Sequence, residues 1–192
     1  TPTFADIDGD SDLDLFSGNV VGTVTYYENI GIIDGVPVYE YITNFWQGIY
    51  IVGPSMRHGA SAISFIDLDN DLDLDLAWGD FYQQSLYIVW NIGDLLSPLM
   101  DVNNIINQYP LNDPIVSAGL NMPTFTDIDS DGDEDLFITV LSGAYGYQLV
   151  NNFYYFENVS LDENVDFEFV TNDFMNSFDL LSDINPEFVD ID

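Results

Sequence analysis

An all-β chain of tandem four-stranded antiparallel units is the architecture this sequence predicts, and three observations carry that expectation. An acidic stretch recurs as DIDGDSDLDL from Asp6, DLDNDLDLDL from Asp67, DIDSDGDEDL from Asp127 and, truncated, DID from Asp190, at intervals of 61, 60 and 63 residues. Self-similarity at a fixed period marks one structural unit per repeat. A second signature follows each full stretch, as YYENIG at 26–31, VWNIGD at 89–94 and YFENVS at 155–160. The third observation is local: the intervening runs are short, aromatic or β-branched, often alternating, and bounded by Gly, Asn and Asp, as strands joined by tight turns are.

In chain order, PTFADID and LDLFSG flank the first acidic loop, TVTYYEN follows Gly22, and VPVYEYIT follows the turn-like IIDG. Four strands per unit result. Phe4, Phe65, Phe125 and Phe188 stand two residues before each first aspartate, and Pro2, Ile63, Pro123 and Pro186 four before it. The units are therefore expected at residues 1–60, 61–120 and 121–184, with 185–192 opening a further one. Connections such as NFWQGIYIVGPSMRHGA at 44–60 carry the chain to the next unit, and only DVNNIINQY at 101–109 leaves room for a turn of helix. Four-stranded antiparallel units in tandem are blades of the β-propeller type, here about three plus the start of a fourth. Three blades do not close a ring that takes about four to eight. Since NPEFVDID at 185–192 repeats the phase of TPTFADID at 1–8, the sequence reads as a piece of a longer array, part of a propeller or of a repeating fibre.

The 192 residues carry 34 acidic side chains against one Lys or Arg, for a formal charge of −33. That balance excludes nucleic acid as a partner, because phosphate binding needs clustered Lys and Arg. With 47% apolar and 15% aromatic residues the chain can bury a core despite its charge. Having no cysteine, it can form neither disulfides nor a Cys-based zinc site. No apolar run approaches the roughly 20 residues of a membrane span, so membrane insertion is not expected. The opening TPTFADID has neither a basic nor an apolar leader region, which fits a leader already removed or a segment of a longer chain.

Asp6, Asp8, Asp10, Asp12 and Asp14 occupy alternate positions across nine residues. At an effective dielectric near 20, two carboxylates about 6 Å apart repel by roughly 3 kcal/mol. Something positive must sit between them.

The stretches PTFADIDGDSDLDLFSG, SAISFIDLDNDLDLDLAWG and MPTFTDIDSDGDEDLFIT, each followed by the aromatic Asn-containing strand, resemble FG-GAP and VCBS repeats, the units of integrin α-chain propellers and of many large bacterial extracellular proteins. The resemblance covers essentially the whole chain. It implies calcium in the hairpin loop between the first two strands of a blade, bound by side chains at loop positions 1, 3, 5 and 9 and by the backbone carbonyl at 7. In this sequence those side chains are Asp6, Asp8, Asp10 and Asp14, then Asp67, Asp69, Asp71 and Asp75, then Asp127, Asp129, Asp131 and Asp135. The implied carbonyls belong to Asp12, Asp73 and Asp133, and Asp190 and Asp192 would begin a fourth, partial site. All-oxygen donors suit Ca²⁺, which takes six to eight oxygens in flexible geometry, better than Mg²⁺ with its smaller octahedron. An EF-hand loop starts alike but needs Glu at position 12 and helices on both sides. Position 12 here is Ser17, Trp78 or Ile138, between predicted strands. At position 6, Gly132 matches the pattern while Ser11 and Leu72 depart from it, and a left-handed backbone there would strain Leu72.

One His, one Arg, and neither Lys nor Cys leave few general bases, nucleophiles or phosphate clamps. Arg57 and His58 sit side by side in a connection, where a structural or surface role is expected, and the acids outside the loops form no identifiable catalytic pair. A non-catalytic role is expected: an extracellular or cell-surface calcium-binding repeat segment, structural or adhesive, partnered by other copies or further repeats of the same chain, or by a glycan or cell-surface protein. The alternative is a glycan-binding module attached to a secreted polysaccharide-degrading enzyme, with Trp46, Trp78 and Trp90 as candidate stacking platforms. Trp78 and Trp90 lie on predicted strands, which favours packing between blades; Trp46 lies in a connection. Asn158-Val159-Ser160 matches an N-glycosylation acceptor but falls in a predicted strand.

Overall fold

The computed structural model describes residues 2–52, 60–160, 165–175 and 186–189. Arg57, His58, Asp190 and Asp192 lie outside the described residues. The first sheet runs β1 (Pro2–Ala5), β2 (Asp14–Gly18), β3 (Val24–Ile33), β4 (Val36–Thr43) in chain order, and a short 3-10 turn, Trp46–Gly48, follows it. The second runs β5 (Ser61–Ile66), β6 (Asp75–Asp80), β7 (Leu86–Val89), and the third β8 (Asn121–Thr126), β9 (Asp135–Val140), β10 (Phe153–Asn158), β11 (Phe167–Thr171). Every pairing between the named strands is antiparallel, and the acidic loops join the first two strands of each sheet. The described residues are thus all-β with almost no helix, and no helix among them is long and apolar enough to cross a membrane.

The second sheet has three strands, not the four expected of each unit. Where a fourth would run, the chain makes isolated bridges, among them Asn91–Met100 and Ile88–Ile106, in place of a strand. Between them the Asp101 N–H donates to the Trp90 carbonyl at 2.8 Å, and the Asp101 carboxylate then accepts the Asn103 N–H at 3.1 Å. Such a side-chain turn competes with a ladder. Residues 101–109 accordingly hold a turn and a bridge rather than helix.

Successive side chains in a strand point to opposite faces, so one sheet can bind a different neighbour on each side. Counting from the first aspartate of each loop, position 10 is Leu15, Leu76 or Leu136 and position 11 is Phe16, Ala77 or Phe137. The position-11 face of the first sheet, with Phe16, Val24 and Tyr26, packs against Ile63, Leu76, Trp78 and Val89 of the second. The opposite face of the second sheet, with Ala77, Leu86 and Ile88, packs against Leu136, Ile138, Phe156 and Phe167 of the third. Strand β6 is buried along its whole length as a result. Phe65, from just before the second loop, meets Phe16 at 4.7 Å, and Phe188 meets Phe137 at 4.5 Å. Each large side chain fully buried here, such as Phe16, Leu76 or Phe137, stabilises the stack by about 1.5–3 kcal/mol.

Two glycines at position 13 bring the sheets closest together. A Cβ on Gly18 would stand 2.2 Å from the Ser61 hydroxyl, and one on Gly79 only 1.6 Å from the Asn121 carbonyl oxygen. Here the first strand of the following unit lies directly against β2 or β6, and any side chain would force it away.

Candidate metal centre

All three acidic loops are folded by one repeated set of hydrogen bonds. The carboxylate at position 1 accepts the N–H of position 6, from Ser11 to Asp6 at 3.1 Å, Leu72 to Asp67 at 2.9 Å and Gly132 to Asp127 at 3.1 Å. The carboxylate at position 5 accepts the N–H of position 7, from Asp12 to Asp10 at 3.0 Å, Asp73 to Asp71 at 3.1 Å and Asp133 to Asp131 at 3.0 Å. To curl this tightly the backbone turns left-handed at positions 4 and 6 in every loop: Gly9 and Ser11, Asn70 and Leu72, Ser130 and Gly132 all have positive φ. Leu72, at φ 77°, therefore stands in the backbone region that side chains disfavour.

Curling brings positions 1, 3 and 5 together. Asp6, Asp8 and Asp10 each offer a carboxylate oxygen within 4.8 Å of the others, and so do Asp67, Asp69 and Asp71, and Asp127, Asp129 and Asp131. Each triad could hold a metal ion. Oxygens around Ca²⁺ sit about 2.3–2.6 Å from it and so no more than about 5 Å apart, which this spacing satisfies. One Asp6 oxygen, one Asp69 oxygen and both oxygens of Asp73 are buried yet accept no hydrogen bond. Orphaned buried carboxylate oxygens are costly without a cation or proton.

Position 9 lies at the base of each loop. Asp14, Asp75 and Asp135 are buried there, and each accepts the backbone N–H of an asparagine in the later signature: Asn29 at 2.8 Å, Asn91 at 2.7 Å and Asn158 at 2.9 Å. Asp75 and Asp135 also accept the N–H of position 2, from Leu68 at 3.0 Å and Ile128 at 3.3 Å, while the Tyr26 hydroxyl donates to Asp14 at 3.1 Å. Asn29 and Asn158 turn their side-chain amides back to the loop, donating to the Leu13 and Glu134 carbonyls at 3.2 and 3.3 Å. These asparagines fasten each loop to the third strand. Sequence reasoning found their signature as a repeat marker and missed this role, although the constant Asn within it was the available signal.

The electrostatics point the same way. Burial pushes the Asp75 carboxyl up to about 7 despite the N–H donors of Asn91 and Leu68, and pushes Asp14 up to about 6 against the Asn29 N–H and the Tyr26 hydroxyl. Asp73 rises to about 7, through burial first and then the charge of Asp71. Asp12, Asp69 and Asp135 are raised as well, burial again being the largest cause. Without a cation the loops resist full ionisation.

Of the aromatic residues weighed as sugar platforms, Trp78 is fully buried and Trp46, although in a connection, is buried against Phe16 at 5.0 Å and Phe65 at 5.8 Å. Trp90 is half-buried against the second core. Asn158 is buried with its side-chain oxygen accepting the Ser160 N–H at 3.2 Å. No protein family, curated protein or solved structure matches this chain.

Proposed function

We propose that this chain is a calcium-braced β-repeat scaffold of the FG-GAP and VCBS kind, its sheets being blades of propeller type, with a structural or adhesive, non-catalytic role outside the cell or at its surface. The observation that carries the reading is the same carboxylate triad built three times by the same hydrogen bonds, beside buried oxygens left without donors. Calcium fits because every donor is oxygen and the spacing suits its radius. Positions 1, 3 and 5 supply the ion's side-chain oxygens and position 7 a carbonyl, while position 9, already holding strand 3, gives the remaining lone pairs. Each bound ion would tie the loop to the hairpin beneath it and remove the repulsion that the ion-free loop stores. Extracellular calcium modules bind at about 10⁻⁴–10⁻³ M, so sites of this exposure would fill outside a cell and stay empty within one.

Thermal melts in millimolar calcium, in millimolar magnesium and in excess chelator test the reading. With three sites at ten times their Kd each adding about 1.4 kcal/mol, and about 2–4 °C per kcal/mol for a chain this size, calcium should raise Tm by roughly 10 °C over chelator, and magnesium by much less. An unchanged melt removes calcium bracing from the account.

A further inference from the structure

Position 7 is an aspartate in all three acidic loops, but its side chain is placed differently in the second. Asp12 and Asp133 are half-buried. Asp73 is 2% exposed, and both of its carboxylate oxygens are buried without accepting a hydrogen bond. Among the described residues no other carboxylate has both oxygens in that state. The Asp73 N–H donates to the Asp71 carboxylate at 3.1 Å, which holds residue 73 beside the last member of the triad. Burial does most to raise the Asp73 carboxyl, and after it come Asp71, by charge and by side-chain contact, then Asp69 and Asp67. The carboxylate therefore faces the Asp67–Asp69–Asp71 triad.

A carboxylate enclosed beside three others is unfavourable until something positive meets it. An ion arriving there removes that penalty as well as making its own bonds, so the enclosed site binds it more tightly than a site whose acids water already solvates. Position 9 is a buried aspartate in all three loops and does not distinguish them. Nor does Leu72 weigh against the second loop, because its backbone stands left-handed before any ion arrives. The difference between the loops lies at position 7.

With the loops read as calcium sites, we propose that the second differs in kind from the other two: the Asp73 side chain joins Asp67, Asp69 and Asp71 as a fourth carboxylate on the ion. This makes it the tightest of the three sites and the one most selective for higher charge. Oxygen-donor loops gain affinity with the number of charged ligands and with their rigidity. Because Coulomb attraction scales with the charge of the ion, one more acid favours a trivalent lanthanide over Ca²⁺ more strongly here than in loops that offer three.

Calcium titration of the full chain, followed by NMR at the position-6 amides of Ser11, Leu72 and Gly132, reads the three loops separately, since each amide donates to the first aspartate of its own loop. The Leu72 amide should respond at the lowest calcium concentration. Asp73→Asn keeps the shape of the side chain without its charge and should weaken binding read at Leu72 by about tenfold or more. Asp12→Asn and Asp133→Asn, removing charges that water screens, should weaken their own loops by about threefold or less. Lanthanum added to the calcium-loaded chain should displace calcium first at Leu72, a lead that Asp73→Asn abolishes. Because Asp73 accepts no hydrogen bond, Asp73→Asn should melt no lower than wild type in excess chelator but lower than wild type in calcium. A melt lowered alike in both conditions marks a structural role and overturns the proposal. So does a Leu72 amide that responds with or after the other two, or equal weakening by Asp73→Asn and Asp133→Asn; in each case calcium bracing stands. If none of the three amides responds to calcium, the calcium reading itself fails and the fourth carboxylate with it.

Discussion

At position 6 the second acidic loop carries Leu72 and the third Gly132, yet both stand in left-handed backbone, at φ 77° and 104°. Both give their N–H to the first aspartate of the loop, at 2.9 and 3.1 Å. The loop's shape is thus set by its hydrogen bonds and by the strands it joins, and glycine only lowers the cost of adopting it. Burial separates the two more than backbone does. In the third loop Asp127, Asp129 and Asp131 are all exposed; in the second Asp67 and Asp69 are half-buried and Asp73 is 2% exposed with both oxygens unpartnered. The second loop lies on the sheet enclosed from both faces, and it concentrates the same charge where water reaches it least.

Three measurements would break or sharpen that contrast. Asp75→Ala strips the acceptor from two buried N–H groups, those of Asn91 and Leu68, and should cost about 2–4 kcal/mol in calcium by urea unfolding. Asp135→Ala should cost less, since its bond from Ile128 is longer, at 3.3 Å. Equal losses would erase the distinction between the two loop bases.

A smaller effect is expected from pH. In the ion-free chain Asp75 and Asp73 titrate near 7 when folded, against an ordinary 3.8. The folded state then holds protons that the unfolded state has released, so stability present near pH 4 declines as pH rises toward 7. Melting in chelator should fall by several degrees across that window, and calcium, replacing the proton, should flatten the decline. Asp75→Asn should remove more of the slope than Asp135→Asn. A melt in chelator that rises from pH 4 to 7 would contradict the sign.

The smallest effect concerns strain. Leu72→Gly should stabilise by about 0.5–1 kcal/mol, relief of left-handed strain exceeding the added freedom of the unfolded chain, because a side chain 75% exposed gives up little burial. Gly132→Leu should destabilise by about 1 kcal/mol. Chemical denaturation with both variants checks the pair.

Much of this was legible before any coordinates. The period placed the three loops, alternation placed their flanking strands, and the Asp-x-Asp-x-Asp spacing supplied the three carboxylates that converge. What alternation cannot say is what covers a face: it separates Leu15 from Phe16 but does not tell that Leu15 stays half-buried while Leu76, at the same position, is fully buried. Nor could it foresee that Trp46, in a connection, would be drawn under Phe16 and Phe65, because that burial is decided by contacts distant in sequence. Where the second unit was expected to have a fourth strand, the Asp101 side chain instead accepts the Asn103 N–H and caps a turn. The role of Asn29, Asn91 and Asn158 stayed hidden because their partners lie on another strand.

The glycines at position 13 carry a geometric consequence. At Gly79 the second and third layers meet backbone to backbone, and at Gly18 the first layer's backbone meets the Ser61 side chain of the second, so neither position has room for a side chain of its own. Elsewhere between the first two layers the space is filled by large side chains, Trp46, Phe16 and Trp78 among them. Contact between layers is thus set by residue size, small at position 13 and large around Phe16, Trp46 and Trp78. A larger residue at position 13 would act on the seam between layers rather than on the ladder within one.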